Sequence, residues 1–69
     1  TVTLGDALAA LVRAYRLVQE RRTEEALQTA QEAYRFADEA DRVSADVRIY
    51  TDRTRALAHE LAETIRAHQ

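Results

Sequence analysis

The chain has no Cys, Pro, Met, Trp or Lys, and its one glycine is Gly5. Without cysteine there are no disulfides and no thiolate metal site, and two histidines are too few to replace them, so stability must come from packing. Without proline, and with no glycine after the first turn, neither of the strongest helix breakers interrupts the sequence, and helix is the expectation throughout. No apolar run approaches the roughly 20 residues of a membrane span. The N-terminus lacks the charged and apolar regions of a signal peptide, which makes the cytoplasm the expected location. A net charge of −2 supplies no broad positive field, so nucleic acid and anionic membranes are disfavoured as main partners.

What is present suits a folded domain: 46% of the residues are apolar and 32% charged. Sixty-nine residues make one domain at most. A chain of this size buries only about 60% of its unfolded surface, so help from a partner or a second copy is expected. All ten basic residues are Arg and alanines abound, as in a GC-rich, bacterial coding sequence. The chain opens at Thr1 without Met, which fits a piece of a longer protein.

Spacing divides the chain into helices. Thr3 followed by Asp6, with Val2 in front, forms a capping-box pattern, and Leu4, Leu8, Leu11, Tyr15 and Val18 recur at helical spacing, which predicts a first helix over residues 4–20. Thr23 before Glu24 and Glu25 reads as an N-cap with acids at the positive end of the helix dipole, which starts a second helix over residues 24–40. Outward pairs Glu32–Arg35 and Asp38–Arg42 are expected along it. Residues 41–46 leave two architectures open. In the favoured one Ser44 caps a third helix over residues 44–68, giving an all-α three-helix bundle whose third face is Val47, Tyr50, Thr54, Leu57, Leu61 and Ile65. In the other, helix 2 runs unbroken and the chain is a hairpin that dimerises as a coiled coil. Coverage favours three helices, because a rod of about 45 residues is near 68 Å long and a first helix of about 17 residues covers only some 25 Å of it.

Helix 2 has a face of methyl groups: Ala26, Ala30, Ala33, Ala37 and Ala40. A row of Ala brings neighbouring backbones to the short end of the 8–10 Å interhelical range. Dense packing then calls for large residues from the other side, here Leu8, Leu11, Tyr15 and Val18 from helix 1 and Val47, Tyr50, Leu57 and Leu61 from helix 3. The run Glu24-Glu25-Ala26-Leu27 with Ala30, Ala33, Tyr34 and Ala37 resembles the second helix of tetratricopeptide repeats and of three-helix microtubule-interacting-and-trafficking domains. That resemblance implies small-residue helix packing and binding of peptides or other proteins. The tryptophan, leucine, glycine and tyrosine pattern of the repeat's first helix is missing here, as is its closing proline.

Chemistry is sparse in the sequence. His59 and Glu63 stand on adjacent turns without an evident third metal ligand, no nucleophile and base pair up, and no glycine-rich loop could cradle a phosphate. Neither catalysis, a cofactor nor a metal is therefore expected. Large apolar residues beside the main stripes are more informative. Phe36 and Leu17 lie about 120° from the centres of their stripes and Ile49 about 100° from Tyr50, with Ala45 and Ala56 on the Ile49 side. If exposed, Leu17, Phe36, Ala45, Ile49 and Ala56 would mark a protein-binding surface. The expected function is a non-enzymatic interaction or oligomerisation module that holds a partner helix, or a second copy of itself as a homo-oligomer, in a groove edged by helices 2 and 3. The alternative is an accessory segment of a larger enzyme or nucleic-acid-binding protein.

Overall fold

The computed structural model describes residues 2–68. Among these residues it has three α-helices, α1 (Leu4–Gln19), α2 (Thr23–Val43) and α3 (Arg48–Ala67), with a short 3-10 turn at Ala45–Val47. The protein is an all-α three-helix bundle, and no second chain is needed to cover a long rod. α2 is the central helix: it packs extensively against both α1 and α3, which touch each other less.

The first helix starts as its sequence predicts. The Asp6 N–H donates to Thr3 Oγ1 at 3.3 Å and the Thr3 N–H donates to Asp6 Oδ2 at 3.0 Å, which closes the capping box. Its end comes from backbone geometry that no residue type announces. Arg22 N–H donates to the Leu17 carbonyl and Arg21 N–H to the Val18 carbonyl, each at 3.0 Å, the paired bonds of a Schellman motif. That motif puts Arg21 at φ 63, the left-handed position that glycine usually fills. Thr23 does not cap α2, in contrast to the expectation. The N-cap is Arg22, one residue earlier, and its guanidinium instead grips both carboxylate oxygens of Glu25 at 2.7 Å.

The boundary between α2 and α3 is set by tertiary contacts. α2 runs three residues past its predicted end to Val43, and Ser44 then turns extended, at φ −147 and ψ 114. Ser44 caps nothing with its side chain, so α3 begins only at Arg48. The reversal is latched by charge. Arg48 Nε lies 3.2 Å from Asp41, and Arg55 bonds Asp38 at 2.9 Å across the two helices while also gripping Asp52. Asp41 is largely buried there, with Thr51 Oγ1 3.3 Å away. The Asp52 bond leads in raising the Arg55 pKa above its usual value, burial works against it, and Asp38 adds to it. Arg55 is therefore a pin between helices. Of the two outward pairs, Asp38–Arg42 forms at 3.1 Å, whereas Glu32 and Arg35 form no ion pair.

The core follows the large-against-small expectation at Leu11 and Leu61 and departs from it at the other positions. All five alanines of the α2 face are buried, as the spacing requires. What meets them from α1 is Ala7, Ala10, Leu11, Ala14 and Leu17, and from α3 it is Thr51, Thr54, Ala58, Leu61, Ala62 and Ile65. Leu8, Tyr15 and Val18, assigned to the core, are exposed, and Tyr50 is 63% exposed. Val47 and Leu57 are half-buried. The alanines of α2 thus meet other alanines together with the larger Leu11, Leu17, Leu61 and Ile65, and the fully buried side chain of largest volume is that of Thr51. Small residues on both sides let the helix axes approach closely, and the stabilisation comes from many short-range dispersion contacts. Buried hydroxyls do not spoil this core, because Thr29 and Thr54 donate to carbonyls one turn back at 2.8 Å.

Candidate docking face

Turning Ala7, Ala10, Ala14 and Leu17 toward α2 leaves α1 with a second apolar row facing solvent. Leu8, Val12, Tyr15 and Val18 occupy successive turns, each at least 40% exposed, with Val12 at 57%. Both rows have helical spacing, so the apolar arc of α1 spans about 220° and only one of its halves can meet α2. α3 extends the exposed row. Val18 lines one cavity with Leu61 and Thr64, which places the C-terminal ends of α1 and α3 side by side. Two parallel helices rise equally, about 1.5 Å per residue, so the offset of Val18 from Leu61 and Thr64 brings Tyr15 level with the Ala58–Leu61 turn and Leu8 level with the Thr51–Thr54 turn, next to Leu57 and Tyr50. The outcome is an apolar face on the side opposite α2, built from Leu8, Val12, Tyr15 and Val18 of α1 with Tyr50 and Leu57 of α3.

The five residues singled out in the sequence do not come together. Leu17 is 9% exposed and belongs to the core, so it cannot contribute to a docking surface; its row is the one that turned inward. Phe36 is half-buried against the core and lines a shallow groove with Ala9, Ala10 and Arg13 of α1, away from α3. Ile49 is 81% exposed, and Ala45 and Ala56 are exposed on the same outward strip. Val12 was not picked out by the spacing argument. The width of the α1 apolar arc was the signal that could have found it.

The expected groove between α2 and α3 exists, but none of the five residues lines it. It is a cavity of about 520 Å³ with Ala30, Tyr34 and Arg35 on one wall and Ala58, Ala62 and Arg66 on the other. His59 stands on its edge. No group of three or more His, Cys, Asp or Glu side chains converges on a metal-sized point among the described residues. No described helix is long and apolar enough to cross a membrane.

These features define a class, a three-helix bundle closed by small residues with an apolar face left open. No family model matches the chain, and neither the curated proteins nor the solved structures compared with it include a match.

Proposed function

We propose that this chain is a non-enzymatic helical interaction module whose α1–α3 face docks an apolar stripe of another helix, from a partner protein or a second copy of the chain. The observation that carries the proposal is the row Leu8, Val12, Tyr15 and Val18, exposed along α1 in a bundle whose core is rich in alanine. An apolar row several turns long, with anchors at i, i+4, i+7 and i+10, is what a helix offers to another helix. Scattered single apolar residues would need no explanation, but a contiguous patch does.

Area supports the same reading. By surface scaling, a folded monomer of 7.8 kDa exposes about 4,400 Å². This chain exposes 4813 Å². Covering the open face would bring apolar area out of water at about 25 cal/mol per Å².

Light scattering after size exclusion, with crosslinking at about 100 µM, a concentration well above a micromolar Kd, tests the proposal. The wild-type chain should self-associate or recover a defined protein partner, and Val12→Asp with Tyr15→Asp should abolish that while leaving the helical circular dichroism intact. Ile49→Asp, on the outward strip of α3, should change neither. A wild-type monomer whose partner recovery the paired aspartates leave unaltered would overturn the reading.

A further inference from the structure

The α1–α3 face divides lengthwise into two strips. The α1 strip is apolar, with Leu8, Val12 and Tyr15 along its middle. The α3 strip carries charge beside Tyr50 and Leu57. Arg53 stands one turn after Tyr50 and one turn before Leu57, Glu60 stands one turn after Leu57, and both are exposed. Arg53 and Glu60 are thus two turns apart on one edge of α3, about 10.5 Å along its axis. Neither forms an ion pair among the described residues. Their midpoint falls beside Leu57, in the stretch of α3 that lies level with Val12, the most exposed member of the α1 row at 57%. The face is therefore arranged about a single line: Leu8 and Tyr15 flank Val12 by one turn on either side, and Arg53 and Glu60 flank Leu57 in the same way.

We infer that the occupant of this face is a second copy of the chain, related to the first by a two-fold axis that crosses the helices in the plane of the face at Val12 and Leu57. The inference rests on the reading of the α1–α3 face as a docking surface and adds the partner and the register. Such an axis lays α1 antiparallel on the partner's α1 and α3 antiparallel on the partner's α3. Val12 then meets the partner's Val12, Leu8 meets the turn of the partner's Tyr15, and Arg53 meets the partner's Glu60, the last two twice over by symmetry. Apolar residues oppose apolar ones, and each charge opposes its opposite. A two-fold axis parallel to the helices would instead place α1 on the partner's α3, setting Arg53 and Glu60 against Leu8 and Tyr15 and covering charges without a counter-charge. A foreign helix could fill the apolar strip, but it would satisfy Arg53 and Glu60 only by carrying an acid and a base at the same spacing. The chain's own face already carries them. The row from Leu8 to Val18 is about 15 Å long, so the interface is small and the Kd is about 10–100 µM.

Sedimentation equilibrium of the 69-residue chain over about 1–500 µM, a range that brackets this Kd, is the test. Arg53→Glu and Glu60→Arg should each weaken dimerisation about tenfold, because each turns two attractive pairs into two repulsive ones. Both should leave the helical circular dichroism unchanged, since the two side chains are exposed and unpaired. Mixing the two variants should restore the wild-type affinity as a heterodimer, each variant supplying the charge that the other lacks. Oxidation should link Val12→Cys to its own copy and leave Leu8→Cys unlinked, because the two Leu8 positions lie about 12 Å apart along the axis. Dimers that withstand both charge reversals while Val12→Asp dissolves them would overturn the inference and leave the α1–α3 face as the docking surface. A wild-type chain that stays monomeric at about 500 µM would also overturn it. If that monomer binds another protein, and Val12→Asp with Tyr15→Asp releases it, the docking function stands with a different partner.

Discussion

Replacing Ala33 with Leu puts the close approach of the helices directly at risk. Ala33 is 0% exposed at the middle of α2 and belongs to the core cluster that also holds Ala10, Ala14 and Ala58. An added isopropyl group has no open side to move to, so either the rotamer is strained or a neighbouring helix is pushed outward. Overpacking of this kind costs about 1–3 kcal/mol, and contact with small residues on both flanks puts Ala33 at the upper end. For a chain of this length total stability is about 3–10 kcal/mol, so the change removes a third of it or more. The melting temperature should fall by roughly 10–20 °C. Urea denaturation followed by circular dichroism should show a lower midpoint with an unchanged slope, since the surface exposed on unfolding stays nearly the same. Ala56→Leu, on the exposed strip of α3, is the matched control and should stay within about 0.5 kcal/mol of wild type. If Ala33→Leu were as stable as wild type or more so, the helices would not be in methyl contact, and the assignment of the core would be wrong.

Four further substitutions test other parts of the structure. Leu17→Ala should cost about 2–4 kcal/mol in a urea melt whereas Leu8→Ala costs under about 1, because Leu17 is in the core and Leu8 on the open face; the reverse order would mean α1 is rotated. Arg21→Gly should raise the urea midpoint by the equivalent of about 0.5–1 kcal/mol, since the left-handed conformation at φ 63 strains an L side chain and costs glycine nothing; a loss of stability would refute the Schellman geometry. Arg55→Met should lose about 1–2 kcal/mol by leaving Asp38, Asp41 and Asp52 facing one another, and added salt should recover more of the loss than it changes in wild type. A loss that does not respond to salt would mean that Arg55 contributes packing and not charge.

How far the sequence could be read depended on whether a feature was local. The capping box at Thr3 and Asp6 was legible because both partners sit within one turn and the motif carries its own hydrogen bonds. The alanine face of α2 was legible because its five members keep strict helical spacing and nothing on the opposite side competes to be buried. α1 was misread for the opposite reason. It has two rows at equivalent spacing, one of bulky residues and one mostly of alanines, and hydrophobicity alone selects the bulky one. Of the predicted α1 stripe Leu8, Tyr15 and Val18 are exposed and Leu11 stays in the core, so the open face falls largely on the stripe and not beside it at Leu17.

The sequence by itself determined that the chain is helical, roughly where its helices lie, and that the middle one turns methyl groups inward; helix propensity, caps and 3.6-residue spacing act within a few residues and need no partner. Only the tertiary structure decided which row of α1 is buried, where α2 ends and which residues remain in water. Those outcomes depend on distances between helices. The alanine face of α2 is met by alanines of both neighbours and by a few larger side chains between them, and the Arg55 and Arg48 bridges to Asp38 and Asp41 exist only once the chain has turned back on itself.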